Sequence, residues 1–335
     1  MQTMMRQMVY ESIFEVLDDI NESWSLQLLH DATQYFFVSY NGLCSKDTIE
    51  ECINQYYRDT IRRKEIQAKL ERLDAYSKRS QRTEEWYQTR HNMITASGVW
   101  KILKSPKQRN TYINEKCAPL KIWATSSRQP RSLRWGVRYE TLSMMIYERR
   151  NDTHIEQFTC IPHSRYSFLG ASPDGIVVDL SSPKYGTMIE IKNVINRNIT
   201  GFPKPEYWMQ MQVQMEVCDM ETCDFVETRF LEYATMEEWL ESHEFGCERG
   251  VMVSGEGEDP TNNVFHICPE NETPQDWVCQ LPFRQPVVFW TLNKYSCVSV
   301  ARDRDWFLAS ISAIEDAWNE IVERRAVKKI DFYET

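Results

Sequence analysis

The chain has 335 residues, a formal net charge of −10 and ordinary apolar and charged fractions, with 11 Trp and 16 Tyr. That length can bury a substantial core and suggests about two domains. No run of about 18 apolar residues occurs, so no helix is expected to span a membrane. The opening MQTMMRQMVYESIFEVLDD lacks the apolar run of a secretory leader and soon turns acidic, which predicts an intracellular protein. Ten cysteines are scattered without a C-x-x-C pair, as expected of reduced, mostly buried thiols. Cys218 with Cys223, and His266 with Cys268, lack the spacing typical of a zinc site.

In chain order, residues 1–79 read as a helical extension. Ile13, Val16, Leu17 and Ile20 form one helical apolar stripe, and Ile49, Ile53 and Tyr57 another. A second unit follows at 80–335, with its core at 80–235. Thr95 or Ser97 is placed to begin a helix. Residues 104–131 read as basic loop or short helix, and 133–150 as a helix with Leu142, Met145 and Ile146 on one face. Glu140 lies off that face. Short strands are expected at 167–169, 176–180 and 188–193, a helix at 206–220 and a strand at 224–233. Residues 243–285 hold Gly, Pro, Asn and Glu clusters and read as an acidic, loop-rich insertion. One or two strands at 286–300 and a terminal helix at 302–329 complete the pattern. The fold class is therefore α/β, a small mixed sheet flanked by helices with a helical N-terminal lobe.

Charge is unevenly placed. Residues 101–150 hold twelve Lys and Arg against three Glu, a net +9, whereas residues 231–280 hold one Arg against twelve Asp and Glu, a net −11. The basic segment can supply phosphate contacts, or it can be a solvated helix face.

The chemistry centres on S-P-D-G at 172–175 and E-I-K at 190–192. Alternation along a strand sends Glu190 and Lys192 to one face and Ile191 into the core. Asp174 and Glu190, with the Ile191 carbonyl, offer the hard oxygen ligands that a cation such as Mg²⁺ prefers. Lys192 beside them could orient or deprotonate a water, or stabilise charge on a phosphorane. A turn aspartate and a strand salt bridge would give the same letters without chemistry.

Four blocks in order carry a resemblance: QRTEEWYQTRHNMITAS at 81–97, LRWGVRYE at 133–140, GASPDG with IEIK at 170–192, and YWMQMQVQM at 207–215. Together they resemble the PD-(D/E)XK nuclease superfamily, and within it the YqaJ-type viral recombinases, relatives of phage lambda exonuclease. The resemblance implies a restriction-endonuclease-like core. It implies metal carboxylates at Glu140, Asp174 and Glu190, a catalytic lysine at Lys192, and a helical glutamine at Gln210 with Gln214 one turn on. It also implies a 5′-phosphate pocket of Arg90, Thr95, Ser97 and Ser172, with Arg197 a looser match. The implied activity is 5′→3′ exonucleolysis of duplex DNA ends with one or two Mg²⁺ or Mn²⁺ ions. An endonuclease or nickase on the same core, or a non-catalytic DNA-binding scaffold, would use the same residues. The implied partners are DNA, a single-strand-annealing recombinase and other copies of the chain in a trimeric ring. The implied setting is host cytoplasm, nucleus or a viral replication compartment. Three carboxylates that share a cation should converge within roughly 4–6 Å, since Mg²⁺ takes oxygens at about 2.0–2.1 Å.

Overall fold

The computed structural model describes residues 7–13, 26–39, 45–77, 81–120, 130–242, 248–253, 263–281 and 287–333. The chain divides into two compact units, Met1–Glu71 and Arg72–Thr335. The first holds α1 (residues 7–13), α2 (Leu26–Ser39) and the start of α3 (Lys46–Ser77), a long helix without Gly or Pro. Val9 and Ile13, Ala32 and Phe36, and Ile49 and Ile53 pair at helical spacing and pack as its core. Ser45 starts α3, its hydroxyl accepting from the Thr48 amide at 3.1 Å. The rest of the stripe read at Val16, Leu17 and Ile20 lies outside the described residues.

The second unit opens with α4 (Glu84–His91), β1 (Ile94–Thr95), α5 (Ala96–Lys104), α6 (Pro106–Cys117) and α7 (Arg131–Asn151). Thr83 caps α4, accepting from the Trp86 amide, and Ser105 caps α6 with Pro106 at its first position. Then come β2 (Ile155–Glu156), β3 (Ile161–Pro162), β4 (Leu169–Ala171), β5 (Gly175–Val177), β6 (Met188–Asn193), α8 (Pro205–Cys218) and β7 (Thr222–Tyr233). The chain continues through α9 (Met236–Glu241), β8 (Arg249–Val253), β9 (Val264–Ile267), α10 (Pro274–Gln280), β10 (Val287–Ala301) and α11 (Arg304–Tyr333).

A seven-stranded mixed sheet runs β2-β5-β6-β7-β10-β8-β9, and a small sheet runs β1-β4-β3. Strands β6 and β7 are parallel, joined through α8, and their register pairs Glu190 with Phe225 and Lys192 with Glu227. On one face α7 packs Met144 and Tyr147 over Ile189, Ile191 and Val226. Burying each such side chain contributes roughly 1.5–3 kcal/mol. The opposite face carries Glu190 and Lys192 toward α8.

One expectation changes. The 243–285 stretch contributes β8, β9 and α10 rather than loop alone, because β8 pairs with β10 and β9 with β8. Gly250 permits that approach, since a Cβ there would meet the His266 carbonyl oxygen at 1.9 Å. Residues 287–301 form one long strand, with a register shift between Leu292 and Lys294. Among the described residues no helix is long and apolar enough to cross a membrane.

Candidate active site

The strand pair β5–β6 fixes the central carboxylates. Gly175 pairs with Ile189, which places Asp174 opposite the middle of β6. Its Oδ2 accepts from the Ile191 amide at 2.7 Å. Gly175 is a strand residue chosen for closeness: a Cβ would lie 2.2 Å from Ile155 Cγ2. On β6 the predicted alternation holds. Ile191 enters the core, and Lys192 Nζ closes on Glu190 Oε1.

Glu190 is 0% exposed, and two glutamines of α8 complete its shell. Gln210 Nε2 donates to Oε1 at 2.8 Å and Gln214 Nε2 to Oε2 at 2.7 Å. Gln214 Oε1 is buried without a partner. The Tyr207 ring lies under the Lys192 ammonium, 5.1 Å from Nζ.

Glu140 reaches the same cavity from α7 and pairs with Arg82 at 2.7 Å. Burial, then the charges of Glu190 and Glu140, push the Asp174 carboxyl well above its ordinary value, against Lys192 and the Ile191 amide. Burial alone would depress Lys192, but Glu190 and Asp174 outweigh it and hold the ammonium above its ordinary value. Among the described residues no three His, Cys, Asp or Glu side chains are gathered as a ready metal cluster. Each carboxylate is instead turned to a protein donor or cation. The donor set nevertheless fits a hard divalent cation: three carboxylates of one cavity, with a buried amide oxygen unpartnered beside them.

The cavity, about 630 Å³, also takes in Arg90, Ser97, Ser172 and Arg197. Arg90 stacks over Trp86, 4.4 Å from the ring centroid, and Nη1 donates to Ser172 Oγ at 3.0 Å. Burial lowers its pKa. Thr95 is the N-cap residue of α5 by backbone conformation, yet its hydroxyl makes no cap bond and lies 3.4 Å from Ser97 Oγ. Thr95 itself is buried. Arg197 is ion-paired with Glu227, a buried residue of β7, so its guanidinium is already engaged.

Sequence reasoning did not single out Arg82, Lys116 or Glu227. Arg82 sits in a left-handed turn (φ 64°) that no local pattern announces. Lys116 donates to the Arg90 and Met93 carbonyl oxygens at 2.6 and 2.7 Å. Glu227 reads as an ordinary alternating strand residue, and only the parallel register beside Lys192 could have flagged it. Cys218 and Cys223 are buried free thiols whose pKa burial raises, which disfavours thiolate ligands.

An aspartate before one strand, a Glu-x-Lys on the next and a helical glutamine over both, on a mixed α/β fold, are the arrangement that the resemblance to the PD-(D/E)XK nucleases implies. Residues 85–221 match the model of the YqaJ-like viral recombinase domain. It is 22% identical over 291 residues to an uncharacterised protein of Acanthamoeba polyphaga mimivirus, covering 72% of this chain and 52% of that one. The chain thus spans about half the length of that relative. Among solved structures, an alkaline exonuclease from Laribacter hongkongensis is 21% identical with a TM-score of 0.48, over 76% of this chain and 100% of that one. A phage-related exonuclease from Haemophilus somnus is 12% identical with a TM-score of 0.39, over 73% and 99%.

Proposed function

We propose that the protein is a divalent-metal-dependent deoxyribonuclease, a 5′→3′ exonuclease acting on duplex DNA ends in recombination of the viral type. The observation that carries this reading is the single cavity that joins Glu140, Asp174, Glu190 and Lys192 to Arg90, Ser97 and Ser172. The YqaJ-like domain supports it.

Glu140, Asp174, Glu190 and the Ile191 carbonyl would hold Mg²⁺ or Mn²⁺, one or two ions. A cation held there would supply an activated water and offset charge on the scissile phosphate. The chain does the rest. Lys192, ion-paired with Glu190, would orient the attacking water or stabilise charge on the phosphate. Gln210 and Gln214 keep both Glu190 oxygens in place. Arg90, with Ser97 and Ser172, grips a terminal phosphate through charge-assisted bonds, which sets where the end stops relative to Asp174. The engaged state of Arg197 makes it a wall of the cavity, steadied by Glu227.

The single-strand-annealing recombinase, the trimeric ring and an intracellular setting (host cytoplasm, nucleus or viral replication compartment) belong to the same reading. The deciding test is cleavage with Mg²⁺ on end-labelled duplex bearing 5′-phosphate or 5′-hydroxyl, beside a closed circle. Loss of the phosphorylated strand from its 5′ end is expected, with the circle intact. Cutting of the circle would favour an endonuclease. A wild type that degrades nothing, while Asp174→Ala binds DNA equally well, would leave a scaffold. Scaffold binding would also fall steeply with salt.

A further inference from the structure

Three cations gather at the cavity wall, with Arg90 lining it and the other two behind. Arg90 lies near the end of α4, Lys116 in the last turn of α6, and Arg325 on α11. Their hydrogen bonds form a chain. Arg325 Nε and Nη2 both donate to the Lys116 carbonyl oxygen, at 3.0 and 2.6 Å, and Nη2 also reaches the His91 carbonyl oxygen at 2.9 Å. Lys116 Nζ in turn donates to the Arg90 and Met93 carbonyl oxygens at 2.6 and 2.7 Å. These carbonyls belong to helix ends, or follow them, and lack intrahelical donors. Among the described residues none of the three cations makes an ion pair with a carboxylate; the nearby Glu115 is paired with Lys101 at 2.8 Å.

Helix capping would explain one such cation, at a gain of about 0.3–1 kcal/mol. It does not explain three mutually repelling ones, two of them donating to the main chain around the third. Resting on the reading of Arg90 as the phosphate anchor, we propose that Lys116 and Arg325 are positioning residues that set the Arg90 main chain and potential for a 5′-phosphorylated DNA end. Helix α11 lies beyond the residues 85–221 that match the domain. The terminal helix is thereby part of end recognition.

Burial, then Arg90 and Arg325, pushes the Lys116 ammonium down to about 7, against two carbonyls that favour its charged form. The groups facing it are Arg90 and His91 of α4, Tyr112 and Glu115 of α6, Arg325 of α11, and Cys160 between β2 and β3. A phosphate dianion would restore the proton. Binding then couples to proton uptake, and affinity falls as pH rises above neutral, by at most about tenfold per pH unit for one proton. The phosphate's own titration, near pH 6, works the other way and is complete by then.

The test is equilibrium binding of 5′-phosphoryl and 5′-hydroxyl duplexes in EDTA, with cleavage of both in Mg²⁺. Lys116→Met and Arg325→Met should lower the phosphoryl preference about tenfold, raise KM on phosphorylated ends and leave kcat on hydroxyl ends unchanged. Lys116→Arg should restore the preference without the fall above neutral pH. Arg325→Lys, which keeps charge but loses the fork and is the milder change for folding, should show an intermediate loss. Equal losses on both ends, or an unchanged preference, would overturn the proposal. Loss of preference in Arg90→Ala alone leaves the anchor standing and sinks only this relay. A wild type indifferent to the end group sinks both.

Discussion

Gln214 bridges two parts of the cavity: its Nε2 lies 2.7 Å from Glu190 Oε2 and 3.4 Å from the Ser172 carbonyl oxygen. The amide of one α8 residue thus ties the central carboxylate to the loop beside Arg90. A packing role and a chemical role predict different outcomes. In Gln214→Leu the lost bond to Glu190 is offset by removing a buried, unpartnered Oε1, whose cost is about 1–3 kcal/mol. The melting temperature should therefore move little. Activity should drop about 10–100-fold, as for other residues that orient metal ligands. A parallel loss of stability and activity would argue for packing.

Asp174→Asn should separate stability from function. The folded Asp174 carboxyl sits above its ordinary value, so over that window the folded chain keeps a proton the unfolded chain has released. Stability then falls as pH rises through the window. In EDTA the wild type should lose thermal stability more steeply than Asp174→Asn as pH rises above the ordinary aspartate range, and saturating Mg²⁺ should flatten the difference. Activity of the variant should fall at least about 10²–10³-fold. Thermal melts across pH, with and without Mg²⁺, check both signs.

Arg82 and a divalent cation compete for Glu140, given the 2.7 Å ion pair. Arg82→Ala frees the carboxylate and leaves the left-handed backbone as it is, since alanine keeps the β-carbon. Calorimetric titration should show Mn²⁺ binding tightened several-fold. Weaker binding would mean that Arg82 orients Glu140 for the ion instead.

Gly175→Ala should destabilise the unit by about 1–3 kcal/mol through overpacking, because the new Cβ would run into Ile155. Urea unfolding would show a lower midpoint with an unchanged slope. A neutral result would mean that β2 gives way at no cost.

The placement of the central side chains was legible because strand alternation is a strict rule: with a period of two, Glu190 and Lys192 had to share a face and Ile191 had to leave it. The start of α5 at Ala96 was legible to within a residue from Thr95 and Ser97, although the Thr95 hydroxyl does not cap. Pro-Asp-Gly misled in a useful way. It reads as a turn, but Gly175 is a strand residue whose missing Cβ admits Ile155. The 243–285 stretch misled more, since Arg249–Val253 and Val264–Ile267 are too short to stand out and their order comes from β10, dozens of residues away. Arg82, Glu227 and Lys116 depend on tertiary approach alone, which no local pattern carries.

Strand β10 pairs with β7 over nearly its whole length on one side, and over its first five residues with β8 on the other. The acidic segment is therefore a seal. Cut away, it would leave Val287–Thr291 as a bare ladder of amides and carbonyls beside Trp290, a template for any other extended chain. A shortened version of this protein would trade its acidic coat for a sticky border, and the first symptom would be precipitation rather than altered cleavage.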